Sequence, residues 1–551
     1  METLRVIPLG GLGEFGLNMM LIEYGDSVIA IDCGLMFPGA DLLGVDLVIP
    51  DVSYLVESKK KLHGIVLTHA HEDHIGAIPY ILRQLEAPIF GTRLTLGLLR
   101  NKLREHRLDK TTELNEITAG NAWELGPFKL EGIRVTHSLM DCVSMAIDTP
   151  LGTVIHTGDF KIDQTPINGE LFDSETFAAY GDKGVFLLLS DSTNVEREGH
   201  TRSEREVGKN LEEIIQQSSG KLFVSTFASS IPRIQQVIDL SDRYGRKIVL
   251  SGRSMIGNCQ IASDLGYLRL PEGVVAEGEQ WQDLARDRIA FITTGSQGEP
   301  LSALHRIALD NHKSIKIEPG DTVILSSKFI PGNEKTIANL INHLYRRGAE
   351  VHYEKVSEIH VSGHASQEEL KTMLQLTRPR YFVPIHGEYR HLVRHIQLAQ
   401  NVGIPGENCH LLEDGQVLEL TPNSARKVES VSAGRLFVDG KGVGEVEKSV
   451  IRDRRHLSED GMVLAIMAIH QQTGELVAGP DLISRGFMRA EEGEEALEQA
   501  KKVVLKTLKG TNRETRTDPG ELQEEVRKAL RRYFNKTYER RPVVLPFIME
   551  T

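Results

Sequence analysis

The sequence predicts an α/β protein of several domains, in which a sheet core is interrupted by a parallel α/β insertion and followed by a small α+β region. Three observations predict it. At 551 residues the chain exceeds what one hydrophobic core supports, and about two to four domains are expected. Between residues 221 and 334, short β-prone runs alternate with helix-forming stretches, the pattern of a parallel sheet. Near the N-terminal end, His69-Ala70-His71-Glu72-Asp73-His74 packs three imidazoles and two carboxylates directly behind the apolar run Ile65-Val66-Leu67. With that run as a strand, His69 and His71 share a direction, and Asp73 and His74 follow in the turn before a helix. Clustered imidazole and carboxylate favour Zn²⁺ or a similar ion over a merely polar loop.

The first element carries a decoy. Gly11-Leu12-Gly13-Glu14-Phe15-Gly16 fits G-x-G-x-x-G, with Asp32 at a suggestive distance, but a dinucleotide fold requires a helix next. Instead 18–24, Gly25-Asp26 and 27–32 read as strand, tight turn, strand, so NAD binding is rejected. In the insertion, strands at 221–225, 247–250, 289–293 and 321–325 each run into a Gly-, Ser- or Thr-rich loop. The loops are Thr226 to Ser230, Gly252 to Ser254, Thr294 to Pro300, and Ser326 through Ile330-Pro331-Gly332. One such loop is an ordinary turn, whereas four together suit a phosphate-rich substrate, because backbone N–H groups and hydroxyls there bind anions. Residues 410–420 read as strand–turn–strand, 429–447 as a Gly- and charge-rich linker, and 448–551 as the C-terminal domain. There Asp518-Pro519 caps a helix whose stripe is Leu522, Val526, Leu530 and Phe534. Its basic end, from Arg527 to Arg541, reads first as a solvated face and second as auxiliary nucleic-acid contact or dimer support.

Composition excludes several classes. Hydrophobic residues at 40% and charged residues at 26% describe a globular chain, and no segment reaches the ~20 apolar residues of a membrane span. Cys33, Cys142, Cys259 and Cys409 are scattered without a CxxC, so neither a disulfide framework nor a thiolate metal site is indicated. Met1 to Ile7 lacks a signal-peptide pattern, and the cytoplasm is the expected compartment. A net charge of −13 argues against a general nucleic-acid-coating protein, while two divalent ions would supply positive charge locally.

HxHxDH resembles the metallo-β-lactamase superfamily, and the resemblance implies its αββα sandwich and three further ligands, each at the end of a β-prone run. His137 follows Ile133-Arg134-Val135-Thr136, Asp159 follows the run from Thr153, and His386 follows Tyr381-Phe382-Val383-Pro384-Ile385. The implied first site is His69, His71 and His137; the second is Asp73, His74 and His386; Asp159 bridges. Two ions in such a pair lie about 3.5–4 Å apart, acidify water, and clamp attacking and leaving oxygens. Asp32-Cys33-Gly34 fits the acidic motif that buttresses the metal loop. An α/β insertion in this core is similar to the β-CASP group of nucleases. Asp191 in Ser190-Asp191-Ser192-Thr193-Asn194 would open the insertion, and His364 in Ile359-His360-Val361-Ser362-Gly363-His364-Ala365 would close it. Within the group, residues 10–18, 294–300 and 384–390 resemble the ribonuclease J family over essentially the whole chain, with a departure at Ser230-Ile231-Pro232.

The resemblance implies core segments at 1–205 and 359–428 around a β-CASP domain at 206–358. It implies a two-metal ribonuclease using Zn²⁺ or Mn²⁺, with Asp73, His74, Asp191 and His364 as catalytic residues. Asp191 would orient His or water, and His364 would assist the leaving oxygen. Ser229, Ser230, His360, Val361, Ser362, Gly363 and His364 would line the nucleotide pocket, and Asp46 and Asp439 would hold a structural cation. Single-stranded RNA is the expected substrate, cut from a 5′-monophosphate end and internally to leave 5′-phosphate and 3′-hydroxyl ends in RNA processing and decay. A homodimer or homotetramer, RNA-decay partner proteins and no membrane are expected. The rivals are a DNA-end β-CASP nuclease, separated by matched RNA and DNA assays; a thioester or lactone hydrolase, disfavoured by the insertion; and a non-catalytic scaffold, disfavoured by the full ligand set.

Overall fold

The computed structural model describes residues 3–551 apart from 40, 277, 300, 330–332, 355, 358, 441, 445–447 and 489, and apart from the side chains of 448 and 490–492. Pro300 and Ile330-Pro331-Gly332 of the expected anion loops, and 441 and 445–447 of the expected linker, therefore lie outside the described residues. The chain divides into two compact units, Met1–Phe37 with Val48–Leu436, and Pro38–Leu47 with Phe437–Thr551.

In the first unit two sheets enclose one core. Eight strands run in the spatial order 424–428, 417–421, 4–10, 19–24, 27–31, 61–66, 89–91 and 114–116. Six run in the order 381–385, 185–191, 152–156, 142–149, 128–135 and 122–125. Val6, Ile22, Ile29 and Val66 of one sheet meet Leu130, Met145, Val154, Leu187 and Val383 of the other, all buried. With helices Arg93–Glu105, Ser174–Lys183, Gln367–Thr377 and Tyr389–Val402 on the flanks, this is the αββα sandwich. No helix follows Gly11 to Gly16; the chain goes on to strands Met19–Tyr24 and Ser27–Ile31, as the rejection of NAD binding requires.

The insertion has its own all-parallel five-stranded sheet, in the order 247–251, 289–293, 222–225, 322–325 and 350–352. Phe223, Phe291, Val323 and Val351 pack there against Ile337, Leu340 and Leu344 of helix Glu334–Arg346. The chain leaves the core after strand Val185–Asp191 and returns at Tyr381–Ile385, and those two strands are direct parallel neighbours. Departure and return therefore bring Asp191 and His386 to one sheet edge.

The second unit is a three-stranded sheet, Leu476–Arg485, Met462–Ile469 and Val543–Glu550, covered on one face by helices Ala490–Gly510 and Pro519–Tyr538. Asp518 accepts from the Gly520 and Glu521 N–H groups, and Leu522, Val526, Leu530 and Phe534 are buried, as the stripe predicts. Two features differ from expectation. Residues 38–47 belong to this unit although nearly four hundred positions separate them from its remainder, and strands Arg435–Asp439 and Gly442–Val443 lie where a linker was expected.

Candidate metal centre

Strand Lys61–Val66 stops short of the histidines, so His69 and His71 stand in the following loop and Asp73 and His74 in the one-turn helix Glu72–Ile75. A neighbouring segment grips this turn through main-chain bonds: Asn18 N–H to Asp73 C=O (3.2 Å), Cys33 N–H to His74 C=O (2.7 Å) and Leu35 N–H to Glu72 C=O (3.0 Å). A Cβ on Gly34 would lie 1.6 Å from the Asp73 carbonyl oxygen, so only glycine allows the approach. Asp32 completes the buttress. Its Oδ1 accepts from Thr68 N–H, and its Oδ2 accepts from Thr68 Oγ1 and His74 Nδ1, each at 2.8 Å.

The remaining groups arrive from sheet edges. His137 follows strand Phe128–Val135, Asp159 follows Gly152–His156, and His386 follows Tyr381–Ile385 with a left-handed backbone (φ 55°). All seven residues expected as ligands fall into two overlapping clusters, His69, His71, His137, Asp159 and Asp73, His74, Asp159, His386. In the first, His71 Nδ1 lies 3.0 Å from His69 Nε2 and 3.2 Å from His137 Nε2, and Asp159 Oδ2 lies 3.7 and 3.9 Å from the latter two. In the second, Asp159 Oδ2 lies 3.3 Å from His74 Nε2, and Asp73 Oδ2 lies 3.2 Å from His386 Nε2.

These residues fit divalent ions. Metal–nitrogen bonds of 2.0–2.1 Å make the edge of a tetrahedron about 3.3 Å, close to the observed nitrogen spacing. Burial, reinforced by neighbouring imidazoles, holds His69 and His137 well below the usual imidazole pKa, and burial takes His71 down to about 4. The three therefore present lone pairs. On the other side burial is overcome: Asp159, Asp73 and Asp32 raise His74 well above its ordinary value, and Asp159, Asp191 and Asp73 raise His386 to about 10. Carboxylates that draw protons there would equally draw a cation. Asp159 Oδ1 is buried without a hydrogen-bond partner, as a group left for an ion would be.

Asp191 and His364 join the same centre. His364 Nδ1 donates to Asp191 Oδ2 (2.8 Å) and lies 3.8 Å from Asp159 Oδ2. The segment before His364 is held from behind: Asn194 Nδ2 donates to Ser362 Oγ and the His364 carbonyl, and His137 Nδ1 donates to the Gly363 carbonyl (2.7 Å). His360 faces burial plus four cations, Arg233, Lys328, Lys161 and Arg197, which keep its imidazole well below its usual pKa. Arg233 also binds the Ile359 carbonyl at 2.8 Å. Ser229 and Ser230 stand at the start of the helix that carries Arg233, Ile231–Arg243. Val361 and Ser362 are buried. Asp46 and Asp439 belong to the second unit, where Asp46 Oδ2 accepts from Gly440 N–H and Asp439 pairs with Arg454, so Asp439 already has a fixed protein cation.

Residues not singled out from the sequence also shape the centre. Buried Glu369 accepts from the Ile162, Thr201 and Ser366 N–H groups, stapling the segments that follow Asp159 and His364; Ser366-x-x-Glu369 was readable as a capping box. Thr193 Oγ1 lies 2.6 Å from His386 Nδ1, and its place two residues after Asp191 was the available signal.

Family models cover this architecture. Residues 12–212 match the metallo-beta-lactamase superfamily, 219–344 the ribonuclease J beta-CASP domain, 348–411 the Zn-dependent metallo-hydrolase RNA specificity domain, and 449–551 the ribonuclease J C-terminal domain. Ribonuclease J of Thermus thermophilus is 43% identical across 100% of this chain and 96% of its own length. The chain belongs to the ribonuclease J family. Ribonuclease J2 of Bacillus subtilis is 38% identical across 100% of this chain and 99% of its own, and ribonuclease J of Helicobacter pylori is 40% identical across 98% and 79%. A crystal structure of a protein of unknown function from Enterococcus faecalis (TM-score 0.54, 15% identity, 76% of this chain and 100% of that one) shares the fold alone. Membership makes the protein a metal-dependent hydrolase, and the two clusters could hold its metal. Among the described residues, no helix is long and apolar enough to cross a membrane.

Proposed function

We propose that the protein is a two-metal ribonuclease that cuts single-stranded RNA to 5′-phosphate and 3′-hydroxyl ends, from a 5′-monophosphate end and internally. The observation that carries this reading is one buried carboxylate, Asp159, shared by two ligand clusters beside the Asp191–His364 pair. Two divalent ions, Zn²⁺ or Mn²⁺, would lower the pKa of water and neutralise charge on phosphoryl oxygens. His69, His71 and His137 would hold one ion and Asp73, His74 and His386 the other, with Asp159 within reach of both. Asp191 accepts a hydrogen bond from His364 Nδ1–H and so steadies the doubly protonated ring, whose Nε2–H would give its proton to the leaving 3′ oxygen. The cations around His360, with Ser229, Ser230 and the 360–364 segment, offer a terminal phosphate its counter-charge.

We also propose a cytoplasmic role in RNA processing and decay, with decay partner proteins, a reading that family membership supports. Self-association is supported by strand Val543–Glu550, which exposes Leu545, Phe547 and Met549 opposite buried Val544 and Ile548. Light scattering on Phe547→Asp tests it.

The function is tested by digesting one body-labelled single-stranded RNA with a 5′-monophosphate or 5′-triphosphate, with and without Mn²⁺ or Zn²⁺, beside His71→Ala and His364→Ala. Mononucleotides from the monophosphate form and internal fragments from both are expected. Cutting of matched DNA with no metal-dependent cleavage of RNA would overturn the reading in favour of a DNA-end nuclease.

A further inference from the structure

Two arrangements in the metal centre are built alike from segments far apart in the chain. Thr68 N–H donates to Asp32 Oδ1, Thr68 Oγ1 donates to Asp32 Oδ2 (2.8 Å), and the same hydroxyl lies 3.0 Å from His69 Nδ1. Thr193 N–H donates to Asp191 Oδ1, Thr193 Oγ1 donates to that oxygen (2.7 Å), and the hydroxyl lies 2.6 Å from His386 Nδ1. Each aspartate also holds a second histidine directly at 2.8 Å, Asp32 taking His74 Nδ1 and Asp191 taking His364 Nδ1. Both arrangements contain a non-glycine residue in the left-handed region, Asp32 (φ 61°) in one and His386 (φ 55°) in the other. The surrounding bonds hold that conformation against its intrinsic cost.

A hydroxyl has one proton to give and two lone pairs. A carboxylate oxygen 2.7–2.8 Å away can only accept, so each threonine's proton is committed to its aspartate. The imidazole nitrogen on the hydroxyl's other side must then be the donor. That fixes on Nδ1 the proton that His69 and His386 would each keep when an ion is bound, and makes Nε2 the nitrogen each would offer it. His69 Nε2 faces His71 and Asp159, and His386 Nε2 faces Asp73.

We propose that Thr68 and Thr193 are a matched pair of positioning residues, each fixing the ligating tautomer of one histidine, Thr68 for the His71–His137 side and Thr193 for the Asp73–His74 side. The inference rests on the two-metal reading above. Two other contacts compete at Thr193: its hydroxyl lies 3.2 Å from the His386 carbonyl oxygen, farther than from Asp191, and Asp191 Oδ1 is itself 3.4 Å from His386 Nδ1 and could act without the hydroxyl. The shorter contact, 2.6 Å, favours the threonine.

The test is competitive chelator titration of Zn²⁺ and Mn²⁺ on the full chain, comparing Thr68→Val, Thr193→Val, Thr68→Ser and Thr193→Ser, with His71→Ala and His386→Ala as references for which ion is lost. Thr193→Val is expected to weaken by about 10–100-fold the ion that His386→Ala loses and to spare the other, with Thr68→Val doing the reverse. The serine variants, which keep the hydroxyl, are expected within about threefold of wild type, well inside the 10–100-fold loss of a ligand's supporting hydrogen bond. Wild-type affinity for both ions in the valine variants would overturn the proposal, as would serine variants as weak as valine, which would mean shape rather than hydrogen bonding. Should a valine variant lose its cooperative melting transition, the alanine variant, compared with serine, carries the same test. Fewer than two ions bound by the wild-type chain would instead sink the two-metal reading itself.

Discussion

The two sides of the metal centre share Asp159 yet differ in chemistry. The His69–His71–His137 side is three imidazoles that burial keeps neutral, whereas the Asp73–His74–His386 side is crowded by carboxylates that pull positive charge onto its imidazoles. The first is a pre-formed set of soft nitrogen donors, and the second is an electrostatic trough with harder oxygen donors. The difference teaches that one carboxylate shared by two clusters can stand between unequal donor sets: imidazole suits zinc, and carboxylate admits manganese.

The largest effect should come from the residue both sides share. Asp159→Asn is expected to strip both ions and reduce RNA cleavage by roughly 10³-fold or more, read as metal content and single-turnover rate. Loss of one ion alone would break the picture of a common bridge. The asymmetry is next. His71→Ala should lower zinc affinity more than manganese affinity, and Asp73→Asn the reverse, each by about tenfold or more, as competitive titration with both metals would show. Equal losses of both metals in both variants would mean that the sides are chemically equivalent.

What the sequence disclosed of this centre depends on side-chain chemistry. His69, His71, Asp73 and His74 were visible because ligand-type residues are dense there, and His137, Asp159 and His386 because the resemblance asks for a His, an Asp and a His in that order at the ends of β-prone runs. Strand alternation and the Asp518 cap were likewise local patterns. What stayed hidden is carried by the backbone or by long sequence separation. The carbonyl that orients His137 belongs to Gly363, 226 positions away, and a carbonyl leaves no signature in residue identity. The membership of 38–47 in the second unit and the pairing of Asp439 with Arg454 are tertiary facts that no periodicity encodes.

That hidden bond gives a smaller, sharper test of the nitrogen-rich side. A Cβ on Gly363 would lie 2.6 Å from the His137 ring and 2.9 Å from the Ser138 amide nitrogen, so Gly363→Ala must push the imidazole or its own loop aside. It is expected to weaken the ion of the His69–His71–His137 side by about tenfold while the carboxylate side holds, a pattern that metal titration distinguishes from general unfolding.

The smallest effect comes from a carboxyl pair that behaves in the opposite way. Asp73, Asp159 and Asp191 are held below the usual carboxylate range because imidazoles outweigh burial. At Glu14 and Asp414 no imidazole intervenes, and the balancing cation is the Arg435 guanidinium. Burial, with Glu14 alongside, raises Asp414 to about 7. An unfolded aspartate titrates near 3.9, so between about pH 4 and 7 the folded chain binds the extra proton. Stability contributed there is present in full at the acid end and is lost as pH rises through about 7. Asp414→Asn, which cannot ionise, should flatten that slope and stabilise the chain at pH 8 by about 1–2 kcal/mol, the partial exposure of the group discounting the full shift. Urea melts of both forms at pH 5 and pH 8 decide it. A slope that survives in Asp414→Asn would place the titrating group elsewhere and remove the contrast between carboxylates neutralised by imidazoles and one that burial leaves protonated.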